Sequence, residues 1–331
     1  MNDFIAYPKI ANVGTRGYEE LFYLPLWASE KLDGSNVSIH VLPGQRECPM
    51  DDLKEIKLAS RTKWLDWQSK GDSKMFRPFI EWTSIPGVAE VLMSFPVGTT
   101  FWGEMCVNQN IIKYPEKIPF VLFDISYDDE FGSRRFIRPD QWERYTVENN
   151  TYPIFVNIPT IVPTQILSST LDKTKLDRLI ADESMLGGPR EGIVLKNYDR
   201  DVTVGGRLVP FFCKYVAPAY RETKKIVDRI TDPLESRIAN SVFTPMRFEK
   251  GIQKLKEEGR YTGSVQDIGP LIGVICEDIH VECRAEIEVA LFTHFWKPIS
   301  RIITSKIPGM YKDKLETGIY TSPEAIDGTT R

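Results

Sequence analysis

From about residue 21 to residue 217 the chain is cut into short apolar runs that either alternate with period two or run unbroken. Each is bounded by Gly, Pro, Asn or Asp. The runs are "NVSIHVL", "TTFWGEMCV", "IPFVLFDISY", "IPTIVPTQIL", "EGIVLKNY" and "LVPFFCKYV". Runs of this length with turn residues at their ends read as strands, so this part of the chain must build sheet. Two interruptions have helical spacing. "SSTLDKTKLDRLIAD" offers Ser169 as N-cap and sets Leu171, Leu176, Leu179 and Ile180 on one face. An earlier helix is expected near "RPFIEWTSIPGVAEVLMSF".

After Ala217 the strand texture stops. "TPMRFEKGIQKLKEEGR" has Thr244 placed to cap, Pro245 at the first helical position, Gly259 at the end, and a stripe of Met246, Ile252 and Leu255. The stretch from Ser264 onward keeps helical spacing. A length of 331 residues suits two domains. The expected division is a sheet-rich domain over 1–220 and an all-helical domain over 221–331, with the boundary near 218–225. No internal repeat or heptad array is evident.

Composition excludes several classes. No apolar run approaches the ~18–20 residues that span a membrane, and the N-terminus lacks a basic region followed by an apolar core. The net charge is −4, and from residue 223 onward 16 basic side chains face 16 acidic ones. A nucleic acid would therefore be held in a local groove and not by overall basicity. Five scattered cysteines, with no CxxC pair, suit a reducing, cytoplasmic compartment, and three histidines are too few for a histidine metal centre or triad.

The chemistry sits in charged residues inside apolar runs. "EKLDGSN" ends one run with Lys31 and follows it with Asp33, Gly34 and Asn36; "SRTKW" carries Arg61; "FWGEM" holds Glu104. "FVLFDI" ends in Phe123 and Asp124, "EGIVLKNY" carries Glu191 and Lys196, and "FFCKYV" carries Lys214. Each has an ordinary reading: Lys31 solvated at a hairpin turn, Phe123 in a core, Glu191 and Lys196 a surface pair. Arg61, Lys63, Trp64 and Trp67 could form an exposed cation–aromatic cluster. Five charges in or beside apolar strands are satisfied more simply by one shared polar site than by five local accidents. In that site a desolvated or cation-flanked lysine becomes a nucleophile, and Gly34 lets the backbone approach a phosphate or ribose.

The series, in this order, resembles the motifs of the covalent nucleotidyltransferases, and its spacing is similar to that of the RNA ligase branch. The resemblance covers about residues 20–217. It implies an α+β fold: an antiparallel-sheet, ATP-grasp-like nucleotidyltransferase domain followed by an all-helical C-terminal domain that holds substrate. It implies ATP and Mg²⁺ as cofactors, with Mn²⁺ able to substitute, and as partner RNA with 3′-OH and 5′-phosphate ends, joined by a monomer without membrane attachment. Lys31 would attack the α-phosphate of ATP and become lysyl-AMP; AMP would pass to a 5′-phosphate, and a 3′-hydroxyl would displace it. By position, Glu30, Asp33 and Gly34 would lie at the cofactor, Glu104 at the ribose, Phe123 stacked on adenine and Arg61 on sugar or phosphate. Glu191 would organise Mg²⁺ through its water shell, Lys196 and Lys214 would neutralise the α-phosphate, and Asn36 would stand near the strand ends.

One position departs from the pattern. The last motif usually carries two lysines around one residue, and here Phe212 takes the place of the first, with Arg207 and Lys224 as candidate substitutes. Two rivals follow: a ligase of DNA or DNA–RNA hybrid nicks, and a ligase-fold nucleic-acid-binding protein with reduced sealing.

Overall fold

The computed structural model describes residues 4, 6–15, 17–18, 20, 23–44, 54–66, 68, 74–107, 111–129, 133–142, 160–161, 164–166, 171–204, 207–223 and 233–316. The chain forms two compact units, one of residues 1–222 with 245–271, the other of 223–244 with 272–331. These units divide the chain near the expected boundary, with residues 245–271 grouped with the sheets.

The first unit holds two five-stranded sheets. One comprises β1 (Ala11–Asn12), β10 (Arg207–Val216), β9 (Gly192–Val204), β2 (Leu26–Lys31) and β8 (Thr164–Ile166), in that spatial order. The other runs β4 (Lys54–Ser60), β3 (Ser35–Pro43), β5 (Thr100–Cys106), β6 (Ile118–Asp128) and β7 (Arg134–Phe136). All pairings within the sheets are antiparallel except the two-residue β1 on β10.

Period-two alternation gives each sheet an apolar and a polar face. In the first sheet Leu26, Ala28, Ile193, Leu195, Phe211 and Cys213 pack with Leu176 of helix α3 (Lys173–Ala181). In the second, Val37, Ile39, Val41, Phe101 and Met105 pack against α1 (Arg77–Thr83) and α2 (Pro86–Ser94). The one helix expected over "RPFIEWTSIPGVAEVLMSF" is two, because Pro86 starts a new first turn after the break at Ile85. Helix α3 starts later than expected. Asp172, whose side chain accepts from the Lys175 amide at 2.7 Å, is its cap, and Ser169 lies outside the described residues. "IPTIVPTQIL" yields only three strand residues, with Pro163 just before them.

Helix α5 (Pro245–Glu257) closes the first unit with Arg247, Gly251 and Leu255 buried. The second unit, among described residues, is helical: α4 (Leu234–Val242), most of α6 (Ile268–Glu282), and α7 (Arg284–Glu316), which contains Pro298 and Pro308. Among the described residues, no helix is long and apolar enough to cross a membrane.

Candidate active site

Residues directly opposed across antiparallel strands point the same way. Register therefore fixes what lines the polar face of the first sheet. Lys31 pairs with Gly192, Ser29 with Val194 and Trp27 with Lys196, while β10 sets Lys214 opposite Val194 and Phe212 opposite Lys196. Lys31, Lys196, Lys214 and Phe212 thus share one face. On the second sheet Asn36 pairs with Glu104, Ser38 with Trp102, and Trp102 with Asp124, giving it a polar face too.

At one end of the site, Lys31 Nζ donates to Glu191 Oε2 at 2.5 Å, and Lys250 Nζ of helix α5 donates to Glu191 Oε1 at 3.1 Å. Glu191 is 2% exposed, and burial pushes its carboxyl up. The charges of Lys250, then Lys31, more than reverse this and hold it at about 2. Lys250 also lies 3.6 Å from Glu222. Burial lowers the Lys250 ammonium, yet Glu191 and Glu222 raise it above the ordinary lysine value. Gly192 follows Glu191 because β10 passes so close: a Cβ there would lie 2.4 Å from the Tyr215 carbonyl oxygen.

At the other end, Lys196 Nζ donates to Asp124 Oδ2 at 2.7 Å and to the Phe123 carbonyl at 3.2 Å, joining the two sheets. Tyr198 donates to Asp124 Oδ1 at 2.6 Å, and Tyr7 also donates to this carboxylate. Burial, then the charge of Asp124, raises both tyrosines. Burial lowers Lys196, with Asp124 opposing. The ring of Phe123 is half-buried, edge-on to Tyr7, with the Lys196 ammonium 5.3 Å from its centroid.

The remaining expected residues are spread around this core. Glu104 is half-buried beside Asn36, and burial pushes its carboxyl up to about 8, opposed by the charge of Lys31 and reinforced by Glu191, Glu257 and Asp33. Asp33 braces the neighbouring loop: Oδ2 accepts from the Ile112 amide at 2.8 Å, and its own amide donates to the Tyr114 hydroxyl at 3.0 Å. Glu30 alternates to the opposite side of β2 from Lys31, where Oε2 accepts from the Met185 amide at 2.9 Å. Arg61 is exposed just past β4, and its charge is among the influences that lower Glu257 against burial. Lys214 is half-buried.

Gly34 has a packing reason to be glycine as well. A Cβ there would lie 2.6 Å from Glu104 Cγ and 2.7 Å from the Met105 carbonyl oxygen. The missing side chain makes room for β5. Of the candidate substitutes for the missing lysine, Arg207 starts β10, at the opposite end from Lys214, and Lys224 lies outside the described residues. Of the expected cation–aromatic cluster, Trp67 lies outside the described residues, and Lys57 Nζ stands 4.5 Å from the Trp64 ring centroid.

Sequence reasoning missed Lys250, Glu222, Tyr7 and Tyr198. One face of α5 carries Lys250, Gln253 and Glu257 onto the Lys31 turn. Gln253 donates to the Gly34 carbonyl at 3.0 Å, and Ser35 donates to Glu257 at 2.8 Å. A mixed-charge helical stretch reads as a solvated face, so the only available signal was the 3–4 spacing of these polar residues.

The RNA ligase family profile matches residues 24–216, more than half the chain, from the start of the β2 region through the end of β10. The chain belongs to the RNA ligase family. The chain is also similar to solved structures of Naegleria gruberi RNA ligase. An apo mutant has TM-score 0.46 and 17% identity, over 66% of this chain and 57% of that one. A mutant with ATP and Mn has TM-score 0.46 and 16% identity over 66% and 58%. The ligase with pyrophosphate has TM-score 0.45 and 16% identity over 66% and 58%. The match thus spans less than two thirds of those chains. No curated protein is a significant match.

Proposed function

We propose that this protein is an ATP-dependent RNA ligase that joins a 3′-OH to a 5′-phosphate RNA end through lysyl-AMP and RNA-adenylate intermediates, in the repair of nicks or breaks. The observation that carries the reading is Lys31: it ends a strand, shares a sheet face with Lys196 and Lys214, and is held by the buried Glu191 in a chain of the RNA ligase family. A lysine fixed on a rigid strand reaches an in-line phosphorus at little orientational cost. Lys196 and Lys214 share its face, which supports a part for them in neutralising phosphate.

Phe123 offers a half-buried ring for a base. Glu104, with its carboxyl held at about 8, keeps a proton at neutral pH, so it can donate to and accept from ribose hydroxyls. Glu191, whose carboxyl is held at about 2, supplies hard oxygens that suit the water shell of a divalent cation, which when bound would neutralise phosphate charge. The described cysteines, Cys106, Cys213, Cys276 and Cys283, are free thiols, which supports a reducing, cytoplasmic setting.

The test is sealing of a nicked duplex with ATP and magnesium, the strands at the junction varied between RNA and DNA. The reading expects efficient joining when the 3′-OH strand is RNA. Equal rates on an all-DNA nick would transfer the activity to the rival DNA ligase, and binding without any joining would favour the ligase-fold binding protein.

A further inference from the structure

We propose that Lys250, from the helix beyond the family match, is a positioning residue for AMP transfer: it aims Glu191 at Lys31 and remains its counter-ion when Lys31 loses its charge. This rests on the ligase reading above.

Glu191 is one carboxylate between two ammonium groups, Lys31 on Oε2 at 2.5 Å and Lys250 on Oε1 at 3.1 Å. Adenylylation changes one of them. A bond forms between Lys31 Nζ and the α-phosphorus, the bond from phosphorus to the bridging oxygen breaks, and its electron pair leaves with pyrophosphate. The ammonium gives up two protons, one to solvent before attack and one carried off by the departing pyrophosphate. The product is an uncharged phosphoramidate nitrogen. Glu191, 2% exposed, would then be a buried carboxylate without its nearest cation, which is strongly disfavoured.

Lys250 answers that problem. It does not react, and Glu222 holds it from a second side at 3.6 Å. Its helix is fastened to the Lys31 turn through Gln253 to Gly34 and Ser35 to Glu257. Lys250 stays on the other oxygen, Oε1, at 3.1 Å, so the carboxylate keeps a hydrogen-bonded cation after adenylylation. The aromatic residue at 212 leaves this chain one lysine short of the family pattern, and α5 brings a cation in from outside it.

The alternative is that Lys250 merely fastens α5 to the sheet. Two single-turnover rates separate them: formation of lysyl-AMP from ATP, in which Lys31 loses its charge, and sealing of RNA already carrying AMP on its 5′-phosphate, in which it does not. Lys250→Met should slow the first by about tenfold or more and the second by less than about threefold, and Lys250→Arg should recover most of the first rate. If the methionine variant does not fold, Lys250→Gln is read in the same way. Equal slowing of both steps, no slowing of either, or an arginine variant as slow as methionine would overturn the proposal and leave the ligase reading standing. A wild-type protein that forms no lysyl-AMP would overturn both.

Discussion

The Lys196 ammonium lies 5.6 Å from the ring centroid of Phe212, its direct partner across β9 and β10. Phe212 is 2% exposed and meets the rings of Phe136 and Tyr198, each with centroids 5.3 Å away. The ring therefore completes an aromatic wall around one buried cation. A lysine at 212 would add a second cation beside a single carboxylate and remove those contacts. Phe212→Lys should cost about 3–5 kcal/mol in denaturant unfolding and should not speed lysyl-AMP formation. A variant as stable as wild type and faster would show that the ring is simply a lost lysine.

Asp124 and Lys196 are unequal partners. With Asp124→Ala, Lys196 stays buried with only the Phe123 carbonyl and three rings around it. With Lys196→Met, the carboxylate keeps the hydroxyls of Tyr7 and Tyr198. The aspartate change should cost about 3–5 kcal/mol and the lysine change about 1–3 kcal/mol less. Chemical denaturation of the two variants checks the order, and the reverse order would mean that the tyrosines do not hold the carboxylate.

Gly34 sits against β5, so even one methyl group there must move backbone or the Glu104 stem. Gly34→Ala should lose about 1–3 kcal/mol of stability. It should also weaken ATP binding, because Lys31, Glu104 and Gln253 are all tied to that turn. Unchanged melting and unchanged ATP binding would show that the turn has slack.

Glu104 makes stability depend on pH in a definite direction. Its carboxyl is raised from 4.5 to about 8, so between these values the folded chain holds a proton that the unfolded chain has released. Stability conferred by the protonated group is complete below about 4.5 and is lost as pH rises through about 8. Glu104→Gln keeps the neutral form throughout. Its advantage over wild type should therefore grow by ~2–4 kcal/mol across that window, the figure being reduced for the partial exposure of the side chain. Melting temperatures of the pair from pH 4.5 to 8.5 report it, and a constant gap would contradict it.

The sequence made the sheets legible where alternation was clean. β3, β5, β6, β9 and β10 overlap the apolar runs because neighbouring residues along their central stretches are buried on both faces. Lys31, Glu104, Glu191 and Lys196 stood out because a charge inside an apolar strand must find a buried partner or a ligand. Lys250 did not, since "EKGIQKLKEEG" carries its charges on a helix, where surface pairs are the ordinary outcome. Tyr7 and Tyr198 were silent for a related reason: a tyrosine in an apolar context gives no hint of which carboxylate its hydroxyl will reach. Gly34 was visible as a close approach, but sequence could not tell a ligand from a neighbouring strand.

The central claim is that Lys31 carries AMP. Incubation with ATP labelled at the α-phosphate and magnesium, followed by denaturing gel and peptide mapping, tests it directly. The account predicts a covalent adduct on the peptide containing Lys31, discharged by pyrophosphate and absent in Lys31→Ala. No adduct with any divalent metal, or an adduct that survives Lys31→Ala, would contradict it.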